Sequence, residues 1–186
     1  MKDYRLVVAL PQAGQKVLDK IKIKFETTDI IVEDIDTLNS EDVAAQRVKK
    51  ILSETGGENT IAVATETVLM LNGKVFDAPN NAEEAKKMID ELSGKTHSFV
   101  TWLCVGGAGC DPETVRVETK VYLKGMTEEE KRLYMDMEDY NYPGAYSPAG
   151  KGSLLVKKIE GDFNNIFGMP VSTLYDILKE KYNIIL

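Results

Sequence analysis

A long β-type run that ends in a tight-turn signal sets the first constraint on this chain. Residues 61–71, IAVATETVLML, lead directly into Asn72-Gly73, and a second short apolar run, KVF, follows. An Asn-Gly pair between two β-type runs is the strongest short-range hairpin signal, because both residues tolerate the positive φ that the turn requires. The sequence therefore predicts a buried strand that turns back on itself and carries one carboxylate, Glu66.

Strands and helices alternate over the rest of the chain. Further strands are predicted from β-type runs at 4–10, 97–105, 114–123 and 153–159. A turn is predicted over PQAGQ (11–15), and helical patterns follow this turn, Ser40, Pro79 and Thr127 and begin again at Ser172. The glycine-rich segment GGAGCDPE (106–113) predicts a loop between two strands. This alternation, with some strands adjacent in sequence, favours an α/β fold with a mixed sheet and flanking helices, in a single domain over 1–186.

Charge and composition exclude several classes of protein. The 186 residues carry 23 Lys and Arg against 30 Asp and Glu, a formal net charge of −7. A protein that neutralises a nucleic-acid backbone needs a clustered basic surface instead. No apolar run approaches the roughly 20 residues of a membrane helix, and LVVAL near the start is too short for the core of a signal peptide. We therefore expect a cytoplasmic protein with no nucleic-acid and no membrane partner.

The two cysteines do not indicate a disulfide or a metal site. Cys104 and Cys110 lie in CVGGAGC, which matches no zinc or redox spacing. Because a cytoplasmic protein meets a reducing environment, we expect two free thiols.

Carboxylates are the groups most able to carry chemistry here. If its strand is buried, Glu66 must be desolvated, paired or bound to a metal; the alternative is an edge strand from which it points to solvent by simple alternation. The acidic pairs Glu33-Asp34 and Glu138-Asp139 lie in predicted loops, where such pairs are usually solvated. Three such groups together offer the oxygen ligands that Mg²⁺ prefers.

Other candidate motifs are weaker. His97 is the only histidine, and no Ser or Cys stands at a nucleophile-like turn, so a catalytic triad has no support. The segments GKGS (150–153) and GGAG (106–109) lack the spacing of a phosphate-binding loop. Trp102 and the tyrosines at 140, 142 and 146 favour a core and cleft-wall role over a base-stacking array.

Four segments, in this order, resemble the Maf (septum formation inhibitor) family: ATETVLMLNGKVFDAP, AEEAKKMIDELSGKTHSFVT, PGAYSPAGKG and GDFNNIFGMPVSTL. Members of this family are nucleoside triphosphate pyrophosphatases that remove pyrophosphate from non-standard or modified nucleotides. The resemblance implies a mixed α/β fold with two lobes around a cleft, similar to the inosine triphosphate pyrophosphatases. It also implies a nucleoside triphosphate substrate, Mg²⁺ or Mn²⁺ as cofactor, and a homodimer in many members.

The resemblance assigns expected roles to five residues. The catalytic Asp of the family corresponds to Glu66, and a Lys of the family's second helix corresponds to Arg47. Glu66 is expected to act as general base or metal ligand, with Glu33 supporting the metal and Arg47 holding phosphate. Glu138 and Tyr146 also match family positions and, with Arg47 and Glu33, are expected to bind substrate.

The chain departs from the family pattern where phosphate would be held. Residues 9–14, ALPQAG, stand in place of a Ser-x-Ser-Pro-Arg-Arg loop, and Ala78, Tyr142 and Ala149 stand in place of two lysines and a glutamine. Two hypotheses follow: a divergent pyrophosphatase with weak or altered turnover, or a catalytically impaired relative that binds nucleotides or partner proteins. A less charged phosphoester substrate is a third.

Overall fold

Twelve helices and strands make up the regular part of the fold. The computed structural model describes residues 4–30, 39–137, 140–148 and 150–185. Along the described chain the elements are β1 (Arg5–Ala9), α1 (Gln12–Lys20), β2 (Glu26–Thr27), α2 (Ser40–Thr55), β3 (Thr60–Leu71), β4 (Lys74–Phe76), α3 (Ala82–Leu92), β5 (Thr96–Gly107), β6 (Cys110–Leu123), α4 (Glu128–Asp136), β7 (Val156–Glu160) and α5 (Val171–Tyr182). Short 3₁₀ helices span Pro143–Ala145, Lys151–Leu155 and Phe163–Phe167.

The strands form a seven-stranded mixed sheet. Its order is β2-β1-β3-β5-β6-β7, and β4 pairs with β3 outside this path. β1 is parallel to both β2 and β3, whereas the β3–β4 and β6–β7 pairs are antiparallel. The prediction of an α/β fold with a mixed sheet and flanking helices is confirmed. None of the helices in the described residues is both long and apolar enough to cross a membrane.

The chain divides into two compact units, in agreement with the two lobes that the resemblance implies. The first unit consists of Met1–Thr67, Thr101–Val117 and Phe167–Leu186, and the second consists of Val68–Val100 and Glu118–Ile166. The strands β3, β5 and β6 therefore contribute residues to both units.

In the first unit, helices cover the sheet on both faces. Successive side chains of a strand point to opposite faces, so β3 supplies two different layers. One layer contains Ile61 and Val63 and packs against α1 and α5; the other contains Ala62 and Ala64 and packs against α2. The predicted start of α2 is confirmed, since the side chain of Asn39 caps it by accepting a hydrogen bond from the backbone N–H of Asp42.

In the second unit, the predicted turn and caps are present. Asn72 and Gly73 have φ of 52° and 82°, which gives the two-residue turn between β3 and β4. The side chain of Asn81 caps α3, and Thr127 with Glu130 forms a complete capping box at the start of α4. These local signals are reliable because each fulfils a hydrogen-bond or dihedral requirement within a few residues.

Three predicted boundaries are wrong. The turn predicted over PQAGQ (11–15) is mostly helical, because α1 begins at Gln12. The predicted loop over 106–113 is a tight turn at Ala108 and Gly109, whose φ values are 49° and 86°, and β6 begins directly at Cys110. The late strand was predicted from 153, but Lys151–Leu155 forms a 3₁₀ helix and β7 starts at Val156. A Cβ on Gly152 would lie 2.5 Å from the carbonyl oxygen of Ser147, so close packing with that segment shapes the backbone here.

The single histidine of the chain, His97, lies in the second unit among buried aromatic side chains. His97 is 2% exposed, and its Nε2 lies 2.6 Å from the hydroxyl of Tyr146, which is 1% exposed. The ring of Phe99 contacts both in edge-on geometry. Burial lowers the pKa of His97 to about 4, and its Nδ1 has no hydrogen-bond partner among the described residues. His97 is therefore a core residue, and it is neutral at physiological pH.

The buried neutral His97 predicts a stability that falls on acidification. The unfolded chain takes up a proton below pH 6.5, whereas the folded protein does so only near pH 4. Stability is therefore fully present above pH 6.5 and is lost as pH falls from 6.5 to 4, by about 3 kcal/mol in total. Urea unfolding of wild type and His97→Gln at pH 7.5, 6.5 and 5.5 checks this. The wild type should lose stability more steeply; parallel pH dependences would contradict the assignment.

Candidate functional site

An ion pair between α2 and β3 is the centre of the candidate site. The Nη1 of Arg47 donates to Oε2 of Glu66 at 2.6 Å and to the carbonyl oxygen of Thr65 at 2.8 Å. The two charged side chains are 22% and 28% exposed, so both are mostly shielded and still reachable from solvent. A charge-assisted bond of this kind is stronger than a neutral one and fixes the orientation of the carboxylate.

The position of Glu66 follows from the alternation in β3. Ala62, Ala64 and Glu66 share one face of the strand, and the two alanines are packed under α2. A carboxylate at the next position on that face meets the helix, where Arg47 is available to pair with it. The alternative interpretation, in which Glu66 points freely into solvent from an edge strand, does not match the structure.

The carboxyl end of β1 lies beside this ion pair. Ala9 pairs with Ala64 in the parallel β1–β3 ladder, so the chain leaves β1 next to Thr65 and Glu66. The α1 helix begins three residues after Ala9, at Gln12, with no side-chain cap and no acidic residue in its first turn. Ligands of open α/β sheets commonly bind outside the carboxyl ends of parallel strands, and free backbone N–H groups at a helix start favour anions.

Gly168, three residues before α5, packs against the loop after β1 and against β3 near Glu66. Gly168 has a φ of +75°, and a Cβ there would lie 2.7 Å from Cγ of Pro11 and 3.2 Å from Oγ1 of Thr67. Its carbonyl oxygen accepts a hydrogen bond from Oγ1 of Thr65 at 2.9 Å. The backbone at Gly168 therefore packs directly against Pro11 and Thr67 and leaves no room for a side chain at position 168. This contact joins the segment before α5 to the loop after β1 and to β3 near Glu66.

Several residues of this region were not among the predicted site residues. Thr65 bonds to Gly168, and the hydroxyls of Thr67 and Thr101 lie 2.8 Å apart across β3 and β5. The only sequence signal for the threonines is their place on either side of Glu66. Gly168 offers no local signal, because the requirement for glycine there comes from Pro11, which lies 157 residues earlier in the sequence.

Of the predicted site residues, Arg47 and Glu66 are brought together in the first unit. Glu33 and Glu138 lie outside the described residues. Tyr146 is buried in the second unit with its hydroxyl directed to His97. Its role in substrate binding stays a prediction, and the hydrogen bond that the structure shows is a core contact.

The described residues fit a divalent metal only in combination with phosphate. They contain no group of three or more His, Cys, Asp or Glu side chains that could hold an ion. Glu66 supplies one carboxylate, and one of its oxygens already accepts from Arg47. Mg²⁺ in nucleotide enzymes is commonly held by one or two carboxylates plus substrate phosphates, so Glu66 suits a metal that arrives with its substrate.

The comparison with protein families decides the affiliation of the chain. The model of the family described as Maf-like protein matches residues 12–181. The chain belongs to the Maf-like protein family. The matched range includes α2 with Arg47, β3 with Glu66, and the segment before α5.

Curated relatives agree with this assignment, and one solved structure shares the fold. A dTTP/UTP pyrophosphatase of Caldanaerobacter subterraneus subsp. tengcongensis is 32% identical over 179 residues, covering 91% of this chain and 85% of that protein. A dTTP/UTP pyrophosphatase of Carboxydothermus hydrogenoformans is 36% identical over 176 residues, covering 89% and 92%. A HAM1 protein from Coxiella burnetii has a TM-score of 0.50 at 19% identity, covering 96% of this Maf-like chain and 100% of that one, which shows similarity of fold alone.

The partial burial of the ion pair predicts a measurable coupling. A double-mutant cycle of Arg47→Ala and Glu66→Ala should give a coupling of about 1–3 kcal/mol in the free energy of unfolding, since truncating one partner leaves the other shielded and unpaired. Arg5 and Glu26 form a matched control at the same 2.6 Å, with side chains 46% and 55% exposed. Chemical denaturation should show weaker coupling for that pair. Equal coupling in both cycles would show that shielding contributes nothing.

Proposed function

We propose that this Maf-like protein is a nucleoside triphosphate pyrophosphatase, which hydrolyses its substrate to a nucleoside monophosphate and pyrophosphate. The observation that carries the proposal is the Arg47–Glu66 pair, an oriented carboxylate at the carboxyl end of β1. Support comes from curated relatives that are named dTTP/UTP pyrophosphatases and cover most of the chain. We propose pyrimidine nucleoside triphosphates as the first substrates to test.

Glu66 is the group that acts on water. Hydrolysis between the α- and β-phosphates forms a bond from the water oxygen to the α-phosphorus and breaks the bond to the bridging oxygen, which leaves with pyrophosphate. The carboxylate of Glu66 accepts the proton that the attacking water loses. Arg47 holds one carboxylate oxygen by its Nη1, which leaves Oε1 as the oxygen to orient the water. A positioned base and nucleophile of this kind lower the barrier mainly by orientation.

Arg47 and the backbone N–H groups at the start of α1 bind the negatively charged phosphate oxygens. The guanidinium has five N–H donors, and the structure uses Nη1 for Glu66 and Thr65. The remaining donors suit phosphate oxygens, as does the uncapped helix start at Gln12. A bound Mg²⁺ or Mn²⁺ would neutralise phosphate charge further, and Glu66, with Glu33 by resemblance, would hold it.

Removing the carboxylate is the direct test. Pyrophosphate release from dTTP, UTP and a panel of other nucleoside triphosphates should fall about 10²- to 10⁴-fold in Glu66→Gln, which loses the proton acceptor and keeps the shape. Glu26→Gln is the matched control, since Glu26 is also paired with an arginine in the first unit. Its turnover should equal that of wild type.

The second hypothesis, a catalytically impaired relative, makes the opposite prediction. A folded wild type that releases pyrophosphate from no substrate on the panel, while still binding nucleotides, would contradict the proposed function. Unchanged turnover in Glu66→Gln would contradict the role of this carboxylate even if the protein is active. Circular dichroism and thermal unfolding of each variant separate loss of chemistry from loss of fold.

Metal dependence is a separate prediction. Because the described residues contain no group of three or more side chains that could hold an ion, the metal should be weakly held without substrate. Turnover should therefore disappear with EDTA and return when Mg²⁺ or Mn²⁺ is added in excess. Full activity after exhaustive chelation would show that no divalent ion takes part.

A further inference from the structure

Trp102 and Glu66 lie on adjacent strands and on the same face of the sheet, since Trp102 packs in one cluster with Ala64, which shares its face of β3 with Glu66. The hydroxyls of Thr67 on β3 and Thr101 on β5 are 2.8 Å apart, and a Cβ on Gly107 would lie 2.3 Å from the carbonyl oxygen of Thr60. Moving back along β3 thus corresponds to moving forward along β5, which makes this pair antiparallel. One step from Thr67 and Thr101 places Glu66 opposite Trp102, and residues opposite each other share a face with Cβ atoms about 5 Å apart.

The same face continues onto β6. A Cβ on Gly106 would lie 2.9 Å from Cγ of Pro112, so these two residues are neighbours on β5 and β6. Because the two strands are joined by a tight turn and run antiparallel, four residues further from the turn Trp102 lies beside Arg116. The guanidinium carbon of Arg116 lies 6.0 Å from the centre of the Trp102 ring. Glu66, Trp102 and Arg116 therefore form a row across three adjacent strands, with Arg47 above its first member.

The burial of Trp102 suits a binding surface. The residue is half-buried, with its ring packed against the cluster that includes Ala64, Cys104 and α2 residues. This packing holds the indole rigidly and leaves part of it at the surface. A separation of 6.0 Å is the outer limit of a cation–π contact, so Arg116 is not stacked closely on the ring.

We propose that Trp102 is the surface on which the base of the substrate nucleotide stacks, with the charge of Arg116 beside it. The proposal rests on the proposed function of the same site and adds the element that recognises the nucleoside. In a nucleotide, only the ribose separates the base from the α-phosphate. An aromatic ring adjacent to Glu66, the carboxylate that activates water, therefore lies within reach of the base. Stacking on an aromatic side chain is tolerant of base identity, because every base has a π face.

Trp102 is the only tryptophan of the chain, so its fluorescence reports directly on this contact. The Glu66→Gln variant can be titrated with UTP, with UMP and with inorganic tripolyphosphate. Stacking predicts saturable quenching by UTP and UMP and little change with tripolyphosphate, which has phosphate but no base. Equal quenching by all three, or none with either nucleotide, would overturn the proposal.

Kinetics give a second, independent measurement. Trp102→Leu should raise KM for UTP about 5- to 150-fold with little change in kcat, and Trp102→Phe should recover most of that loss. Phe163→Leu is the matched control, since Phe163 is an exposed aromatic residue of the second unit and should leave KM unchanged. A Trp102→Leu variant with wild-type KM would contradict the proposal.

The outcomes separate this proposal from the proposed function. Base-dependent quenching in a protein without pyrophosphate release would support stacking and contradict hydrolysis. Pyrophosphate release that depends on Glu66, without base-dependent quenching, would support hydrolysis and place the nucleoside elsewhere.

Discussion

The burial of β3 on both faces is the constraint on which the first unit depends. Ile61 and Val63 are enclosed by α1 and α5, while Ala62 and Ala64 are enclosed by α2. A strand covered on both sides cannot present a charge without a partner, because an unpaired carboxylate loses its hydration. Glu66 follows immediately on this buried run, so the same packing that stabilises the sheet also requires a cation on α2.

The helix meets that requirement through its spacing. Ala44, Arg47 and Ile51 are three and four residues apart, which places them on one side of α2, and Ala44 and Ile51 are buried against the sheet. The small side chains of Ala44, Ala62 and Ala64 allow the helix to lie close to β3. Arg47 therefore reaches both the carboxylate of Glu66 and the carbonyl oxygen of Thr65 from one nitrogen.

Features that depend on a few consecutive residues were predictable from the sequence. The turn at Asn72 and Gly73, the cap at Thr127 and the start of α2 each follow from a local hydrogen bond or dihedral requirement. Arg47 and Glu66 could be named as candidate site residues, because their motifs resemble the family pattern and a carboxylate in a buried strand is unusual; the structure shows that they pair.

Features that depend on residues distant in sequence were not predictable. The need for glycine at 168 comes from Pro11 and Thr67, and the place of Trp102 opposite Glu66 comes from the register between β3 and β5. The turn at Ala108 was also missed, because an alanine at positive φ has no propensity signal and is stabilised by the strands on either side. A charge count likewise says nothing about where the cations lie.

Two of the departures from the family pattern, at Arg47 and Glu66, can be compared with the ion pair that the structure shows. The resemblance matches Arg47 to a lysine and Glu66 to an aspartate, so both partners are longer here and both keep their charge. The two side chains still form an ion pair at 2.6 Å, and Arg47 makes a second bond to the carbonyl oxygen of Thr65. Residues 9–14 stand in place of the family's arginine-containing loop; in this segment, Pro11 packs on Gly168 and directly precedes α1, which has no side-chain cap. Under the proposed function, the chain keeps an oriented carboxylate at the family position, and its departures from the family pattern lie where phosphate would be held.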